Sequence, residues 1–246
     1  MEAISLAPAA LAGAAAVLVG SLWLIGRTIE KRRREALEQY ALVRGYRFER
    51  ERPGGERQLE GEVELFKTGH SRKWGYTLTG RVNSRACTAF EYRYVTGSGK
   101  NSNTHRCAVM LWEADGAGLP AFTLTPEGFL DRVGQLFGMQ DFDFAEDPEF
   151  SKAYRLRGPD EAAVRALFTP NRRAALAAVK GQRVSGSGRF LVWWRPGRLP
   201  GSDHLDQFLA DGASQCRAEH SSPYRPPNLT HVAQASEPGR RVNARV

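Results

Sequence analysis

An uncharged run of 24 residues near the start of the chain limits its possible folds more than any other feature. Residues 3–26 read AISLAPAALAGAAAVLVGSLWLIG, and the next eight residues, RTIEKRRR, carry five basic side chains. As an α-helix the run is about 36 Å long, enough to cross a hydrocarbon core of about 30 Å. The sequence therefore predicts a transmembrane anchor over residues 1–26.

The distribution of charge around this run predicts its orientation. Basic residues that flank a span stay on the cytoplasmic side, and here only Glu2 precedes the run. A cleaved signal peptide has the opposite order, with its basic residues before a shorter apolar core. We therefore expect a single-pass protein of the bacterial inner (plasma) membrane, with its N-terminus outside and the bulk of the chain cytoplasmic. The side chains expected at the membrane surface are Trp23, Arg27, Lys31, Arg32, Arg33 and Arg34.

Two interpretations of these surface residues stay open. The basic side chains could bind anionic lipid, or they could serve only to fix the topology. An indole such as that of Trp23 favours the interface, but it could equally face lipid as an apolar group.

Net charge and cysteine usage narrow the class of protein. The net charge is +8, but residues 27–34 contribute +4 and residues 221–246 contribute +3, so the remainder carries only +1. A nearly neutral globular part argues against nucleic acid as a partner. Cys87, Cys107 and Cys216 are odd in number and widely spaced, which suits a reducing compartment.

Residues 46–125 alternate with period two in short runs that predict antiparallel strands. The predicted strands are YRFERE, EVELFKT, WGYTLTGRV, CTAFEYRYV, THRCAVMLWE and AFTLT. For the hairpin around TGSGKNSN, a register with Tyr94 opposite His105 sorts the apolar residues onto one face. The same register places Cys87 opposite Trp112, so we expect no Cys87–Cys107 disulfide.

After residue 125 the pattern changes to helices with one further hairpin. Helices are predicted at Thr125-Pro126, Asp147-Pro148, Pro159-Asp160 and Thr169-Pro170, from their capping residues. The first is expected to present apolar residues between 129 and 137, and the last to turn Leu176 and Val179 inward. AYRLR is predicted as a strand, Ser185 to Gly188 as the turn of a second hairpin, and Asp203 to Cys216 as an amphipathic helix.

Together these elements predict an α+β fold: a transmembrane helix, then an antiparallel β-meander packed with several helices and a second hairpin. The expected divisions are an anchor at 1–26, a basic juxtamembrane helix at 27–44, a cytoplasmic α+β domain at 45–219 and a disordered tail at 220–246.

No motif in the sequence predicts a catalytic, cofactor or metal site. Gly97-Ser98-Gly99-Lys100 lacks the spacing and the strand-to-helix context of a phosphate-binding loop, so we interpret it as a hairpin loop. His105 and Cys107 supply half a zinc site at most. The isolated histidines (His70, His204, His220 and His231) have no nucleophile motif beside them.

The acidic stretch Asp141, Asp143, Glu146, Asp147 and Glu149 lacks the calcium-loop pattern and is explained by an outward strand face and a helix cap.

Trp193 and Trp194 are adjacent on a predicted strand, so their side chains point to opposite faces of the sheet. One is expected in the core. The other packs under a second layer of structure or forms an exposed interaction surface.

Three stretches resemble a group of bacterial membrane-anchored proteins of unknown function, common in actinobacteria and other high-GC lineages. They are FEYRYVTGSGKNSNTH at 90–105, LPAFTLTPEGF at 119–129 and DFDFAEDPEFSKAYRLRGPDEAAVRALFTP at 141–170. The resemblance spans residues 74–195. It implies one or two N-terminal spans and a cytoplasmic domain, and it implies no catalytic residues.

The sequence thus favours a membrane-anchored binding or scaffolding module whose partners are the membrane and another protein. A membrane-tethered enzyme, such as a hydrolase, is the alternative, and it requires a pocket where at least two of His70, His105, Cys107, Asp141 and Asp143 converge. A second alternative is an anionic-lipid-sensing domain that uses the basic run and an exposed Trp.

Overall fold

Nine strands form one antiparallel sheet in the computed structural model, which describes residues 7–52, 54, 59–113, 118–128, 140–179 and 181–220 of the 246. Side chains are described for all of these residues except 7–11, 13, 140 and 216–220. Within these ranges each strand pairs antiparallel with its neighbours in the sheet. The α+β class predicted from the sequence is therefore confirmed.

The strands are β1 (Arg47–Glu49), β2 (His70–Val82), β3 (Arg85–Thr96), β4 (Asn103–Glu113), β5 (Leu119–Pro126), β6 (Gln140–Phe142), β7 (Tyr154–Gly158), β8 (Val184–Gly188) and β9 (Phe190–Pro196). Among the described residues, their order across the sheet is β1-β2-β3-β4-β9-β8-β5-β7-β6. The helices are α1 (Ala7–Arg44), α2 (Glu64–Lys67), α3 (Pro148–Ala153), α4 (Glu161–Leu167), α5 (Pro170–Ala178) and α6 (Ser202–His220).

The hairpin β3–β4 has the register that the sequence predicts. Tyr94 lies opposite His105, and Cys87 lies opposite Trp112. Cys87 and Cys107 are both buried and do not form a disulfide with each other. Gly97, at the hairpin end, has a φ of +74°, and a Cβ there would lie 2.4 Å from the carbonyl oxygen of Asn101. The glycine-rich segment is thus a tight strand connection, as expected.

Both faces of the sheet are buried, which divides the interior into two parts. The helix-side core lies under α1 and α6 and includes Leu37, Ala41, Ala89, Met110, Trp112, Trp193, Leu205 and Phe208. The loop-side core lies under residues 59–68 and includes Leu59, Val63, Phe66, Trp74, Phe90, Tyr92, Val109 and Trp194. Gly212 allows α6 to approach the sheet, since a Cβ there would lie 2.4 Å from Met110 Sδ.

Four predictions about local structure need correction. EVELFKT is not a strand but contains α2, because Leu65 and Phe66 are consecutive and both bury against the sheet. Pro126 ends β5 instead of opening a helix, and the apolar residues expected after it lie in 129–139, outside the described residues. Val179 follows α5 and is 45% exposed. The second hairpin turns two residues later than predicted, since Ser187 already pairs with Phe190.

The other helices agree with their capping signals. Asp147 caps α3 by accepting a hydrogen bond from the Phe150 amide at 3.2 Å, and Asp160 caps α4 in the same way through Ala163 at 3.0 Å. Helices are also found where the sequence predicts one at Thr169-Pro170 and from Asp203 onward. The division of the chain into anchor, domain and tail stays a prediction.

Candidate functional site

Helix α1 lies on the sheet with its second half only. Leu37 and Ala41 are fully buried in the helix-side core, and Tyr40 donates a hydrogen bond of 2.6 Å to Asp206 of α6. Burial and the nearby carboxylate of Asp206 both raise the pKa of Tyr40, so its hydroxyl stays protonated and donating. Arg44 donates to the same carboxylate at 2.6 Å. These contacts fix the helix to the domain.

A network of two basic and two acidic side chains marks the place where α1 leaves the sheet. Arg33 donates to Glu91 of β3 at 2.7 Å and to the Leu199 carbonyl at 2.7 Å. Arg198 bridges Glu91 at 3.3 Å and Glu30 at 2.8 Å. Arg33 and Glu91 are only 14% and 13% exposed. The network therefore closes the junction between α1 and the sheet.

Glu30 is held in its charged form at this junction. Partial burial raises the pKa of Glu30, but hydrogen bonds from Tyr76 and Arg198 outweigh it and hold the pKa below the ordinary value of 4.5. The direction of α1 follows from its contacts. Tyr46 lies beside Gly80 and Arg81 of β2, which pair with the start of β3. Glu30 instead binds Arg198, which also binds Glu91 farther along β3. Earlier residues of α1 therefore extend beyond Glu91. We call the end of the sheet where β3 ends at Thr96 and β4 begins at Asn103 the exit end.

The first half of α1 extends past the exit end, and those of its apolar side chains that the structure describes are exposed. Its large hydrophobic residues from Val17 to Ile25 are between 55% and 69% exposed. Trp23 is 60% exposed, and the Arg27 guanidinium lies 5.2 Å from the centroid of its ring. Within the residues that the structure describes, no helix has both the length and the apolar character needed to cross a membrane.

The predicted membrane-surface residues divide into two groups. Lys31 and Arg32 are exposed, with Lys31 Nζ 3.8 Å from Glu35. Arg33 instead belongs to the buried junction, and Arg34 is 26% exposed and lies 3.5 Å from Glu38. The basic run is therefore not one uniform surface. Helical periodicity turns Arg33 toward the sheet, where Glu91 needs a partner.

A cavity of about 700 Å³ opens at the exit end. Its charged lining consists of six basic and three acidic residues, which are Arg52, Arg72, Lys73, Arg93, Arg106 and Arg198 with Glu30, Glu51 and Glu91. Arg72 has a structural role, because it donates to Glu60 at 2.9 Å and to the Lys67 carbonyl at 2.6 Å. We call this concavity the exit cavity.

A second cavity, of about 580 Å³, lies at the other end of the same strands, beside the β2–β3 turn. It combines apolar side chains with guanidinium groups, including those of Leu59, Trp74, Leu111, Phe190, Arg81 and Arg189. Arg189 is 3.9 Å from Glu113, so part of its charge is already paired. The lining of this second cavity is mainly apolar and cationic.

Trp193 and Trp194 do not form an interaction surface, because each is only 4% exposed. The Trp193 indole donates to Gln182 Oε1 at 2.8 Å, and its ring centroid lies 5.1 Å from that of Phe208. Trp194 packs in the loop-side core. The sequence correctly predicts opposite faces, but both faces are covered.

The candidate catalytic residues around β4 are tied to structural partners. His105 stacks on Tyr94 with ring centroids 4.8 Å apart and hydrogen-bonds Thr96 at 2.7 Å. His70 Nε2 lies 3.0 Å from the Gly97 carbonyl oxygen. Burial raises the pKa of the Cys107 thiol to about 12, so the thiolate that a nucleophile or a zinc ligand requires is disfavoured.

Asp141 and Asp143 share a cavity of about 380 Å³, but Asp141 is engaged by the guanidinium of Arg157. Asp147 is the α3 cap and lies 2.9 Å from Arg173. Within the described ranges, no three His, Cys, Asp or Glu residues are grouped as a metal site would require.

The fold and its exit end define a class of protein: a single-sheet α+β domain from which a long helix extends with an exposed apolar first half. The fold is similar to the crystal structure of the mycobacterial trehalose monomycolate transport factor A, TtfA, with a TM-score of 0.56 and 11% sequence identity. The superposition covers 79% of this chain and 98% of that chain. No family model and no curated protein sequence matches.

At this identity the likeness establishes a shared fold.

Proposed function

We propose that this protein is a membrane-attached binding and scaffolding module with a role related to lipid transport. Residues 3–26 enter the bilayer, the N-terminus lies outside, and the α+β domain is held against the cytoplasmic face. The partners in this proposal are the membrane and a second protein that the domain recruits.

The observation that carries the proposal is that the two halves of α1 differ: the first has exposed apolar side chains, and the second packs on the domain. Its described apolar side chains before Arg27 are exposed on successive positions, so they surround the helix instead of forming one stripe. An all-round apolar helix needs an apolar environment on every side, which a bilayer supplies and a single groove does not. The second half of the same helix is fixed to the domain, so the bilayer position sets that of the sheet.

Two further considerations support a binding role. The fold is that of a protein described as a trehalose monomycolate transport factor, and we extend a transport-related role to this chain by analogy with that fold. Of the candidate catalytic side chains, Asp141 is held in an ion pair, His105 stacks on a tyrosine and Cys107 is buried. The two larger cavities instead have several cationic and aromatic groups in their linings. Such a lining suits recognition of an anionic or amphiphilic partner.

Membrane attachment is tested with paired arginine substitutions in one helix. Leu18→Arg with Leu22→Arg places two charges in the apolar run, at a cost of about 2.5–3.5 kcal/mol each near a bilayer centre. Leu42→Arg with Val43→Arg is the matched control, since these residues are 76% and 72% exposed. We expect wild type and control to stay in carbonate-washed membranes and the first pair to be released. Equal distribution of both pairs would contradict attachment.

Orientation and role need separate measurements. Protease added to right-side-out vesicles should spare the domain, and protease added to inside-out vesicles should cleave it; the reverse pattern would contradict the orientation.

The lipid-related role predicts that depletion of the protein slows the appearance of newly labelled lipid outside the inner membrane. Unchanged labelling kinetics would count against that role and leave the attachment standing.

A further inference from the structure

Three basic residues occupy one register position across three neighbouring strands at the exit end. Lys73 of β2 lies opposite Arg93 of β3, which lies opposite Arg106 of β4. Residues that are directly opposite have Cβ atoms about 4.5–5.5 Å apart, and like charges at this spacing are destabilising. We call Lys73, Arg93 and Arg106 the cationic row.

None of these three side chains forms an ion pair within the part of the chain that the structure describes. Glu91, a carboxylate that lines the same cavity, already binds Arg33 at 2.7 Å and Arg198 at 3.3 Å. Elsewhere on the sheet, the strand arginines Arg155 and Arg157 do have acidic partners. Among the described residues, a row of three like charges with no ion pair is unfavourable for cross-strand pairing, and positions that break such a rule are often functional.

The row also lies where a ligand can reach it. All three side chains line the exit cavity of about 700 Å³, and Lys73 and Arg106 are exposed. Glu30 of α1 lines the same cavity, so the row opens beside the helix just before its apolar half begins. A guanidinium presents a planar fork that binds two oxygens of a phosphate, and two such groups with an ammonium match a phosphate anion.

We propose that the cationic row is a binding site for a phosphate group. The source of that phosphate is either an anionic phospholipid headgroup or a soluble phosphate compound. The lipid source rests on the proposed membrane attachment, because only then does the exit cavity face the headgroup layer. The anion site itself rests on the register and charge of the row and does not depend on the membrane.

The test uses two substitutions that should each raise the Tm without anion and remove the rise in Tm that an anion causes. Arg93→Gln and Arg106→Gln each remove one like charge, so without anion they should raise the Tm of the full chain by about 1–3 °C. The same substitutions should abolish the stabilisation that an anion gives. Arg157→Gln is the matched control, because it removes a strand arginine that is paired with Asp141. It should lower Tm and keep the full anion response.

Tm is measured on the full chain in nanodiscs of phosphatidylcholine alone and of phosphatidylcholine with phosphatidylglycerol. Inorganic phosphate is titrated in parallel into the detergent-solubilised full chain, against chloride of equal ionic strength. At about a hundredfold excess over the dissociation constant, binding should raise Tm by about 5 °C or more. If Tm rises with phosphatidylglycerol in the nanodisc but not with inorganic phosphate, the ligand is a lipid headgroup. If Tm also rises with inorganic phosphate, the row is a general phosphate site.

Two results would overturn the site: a chloride response equal to the phosphate response with no effect of phosphatidylglycerol, or an unchanged anion response in both Arg93→Gln and Arg106→Gln. If the chain fails to associate with membranes, the proposed function falls, while the phosphate titration still decides the site.

Discussion

The junction between Arg33 and Glu91 is expected to hold α1 on the domain, and a charge substitution can measure its strength. Arg33 Nη2 and Glu91 Oε2 are 2.7 Å apart, and the side chains are 14% and 13% exposed. With an effective dielectric constant of about 20, two unit charges at this distance attract by roughly 6 kcal/mol. Desolvation offsets much of that attraction, so a net value of about 1.5–3 kcal/mol is expected.

Glu91→Gln keeps the shape of the side chain and removes its charge. It leaves Arg33 and Arg198 facing each other without their shared carboxylate, so the free energy of unfolding should fall by about 2–3 kcal/mol. Arg33→Met removes the other partner and keeps the apolar stem. Combined in a double-mutant cycle, the two substitutions should give a coupling energy of about 1.5–3 kcal/mol. Arg32→Met, one residue away and exposed, is the control, with an expected change within about 0.5 kcal/mol.

Unfolding of the detergent-solubilised full chain in urea, followed by Trp fluorescence, gives these free energies. Hydrogen exchange of residues 27–44 gives an independent reading of α1, and Glu91→Gln should speed exchange there more than in β4. A coupling energy below about 0.5 kcal/mol, or unchanged exchange in Glu91→Gln, would refute the idea that this ion pair docks the helix.

Three further predictions concern the domain itself. Arg173 holds the pKa of Asp147 below its ordinary value of 3.8. The stability from this pair should therefore be present above about pH 4 and be lost as the pH falls through the lowered pKa. Asp147→Asn still caps α3 and should flatten this acid dependence of the free energy of unfolding in urea titrations. Gly212→Ala should lower the free energy of unfolding by about 1–3 kcal/mol, because the new methyl group meets Met110, and an unchanged midpoint would show that α6 can move away. Cys107 should resist alkylation at pH 8 in the folded protein and react only after unfolding, as measured by peptide mass spectrometry; rapid native labelling would contradict its burial.

Local patterns predict the parts of this fold whose partners are close in sequence. The β3–β4 register follows from the alternation of two strands joined by a short loop, and the α3 and α4 starts follow from Asp147 and Asp160 as caps. The strand predicted for EVELFKT is wrong, because its alternation is also compatible with a short helical turn that buries Leu65 and Phe66 together. Alternation over a few residues does not say which layer will cover them.

At the candidate site, too, features formed by neighbours in sequence are predicted, and features formed by distant strands are not. Sequence reasoning found the basic run but missed the cationic row, since Lys73, Arg93 and Arg106 lie on three strands and become neighbours only through pairing. The predicted hairpin register already places Arg93 opposite Arg106, and that pair of like charges is the signal that could have revealed the row. Lys73 could not be added without the β2–β3 bulges that set its position.

By itself, the sequence determined the α+β class, the hairpin register and the uncharged run followed by basic residues, because each depends on the order and spacing of nearby side chains. Only the tertiary structure decided that Arg33 serves the junction with Glu91, that Trp193 and Trp194 are both buried, and that the cationic row lines a cavity beside α1. The physical reason is that burial and ion pairing depend on which distant elements come to cover a residue, and no local period encodes that choice.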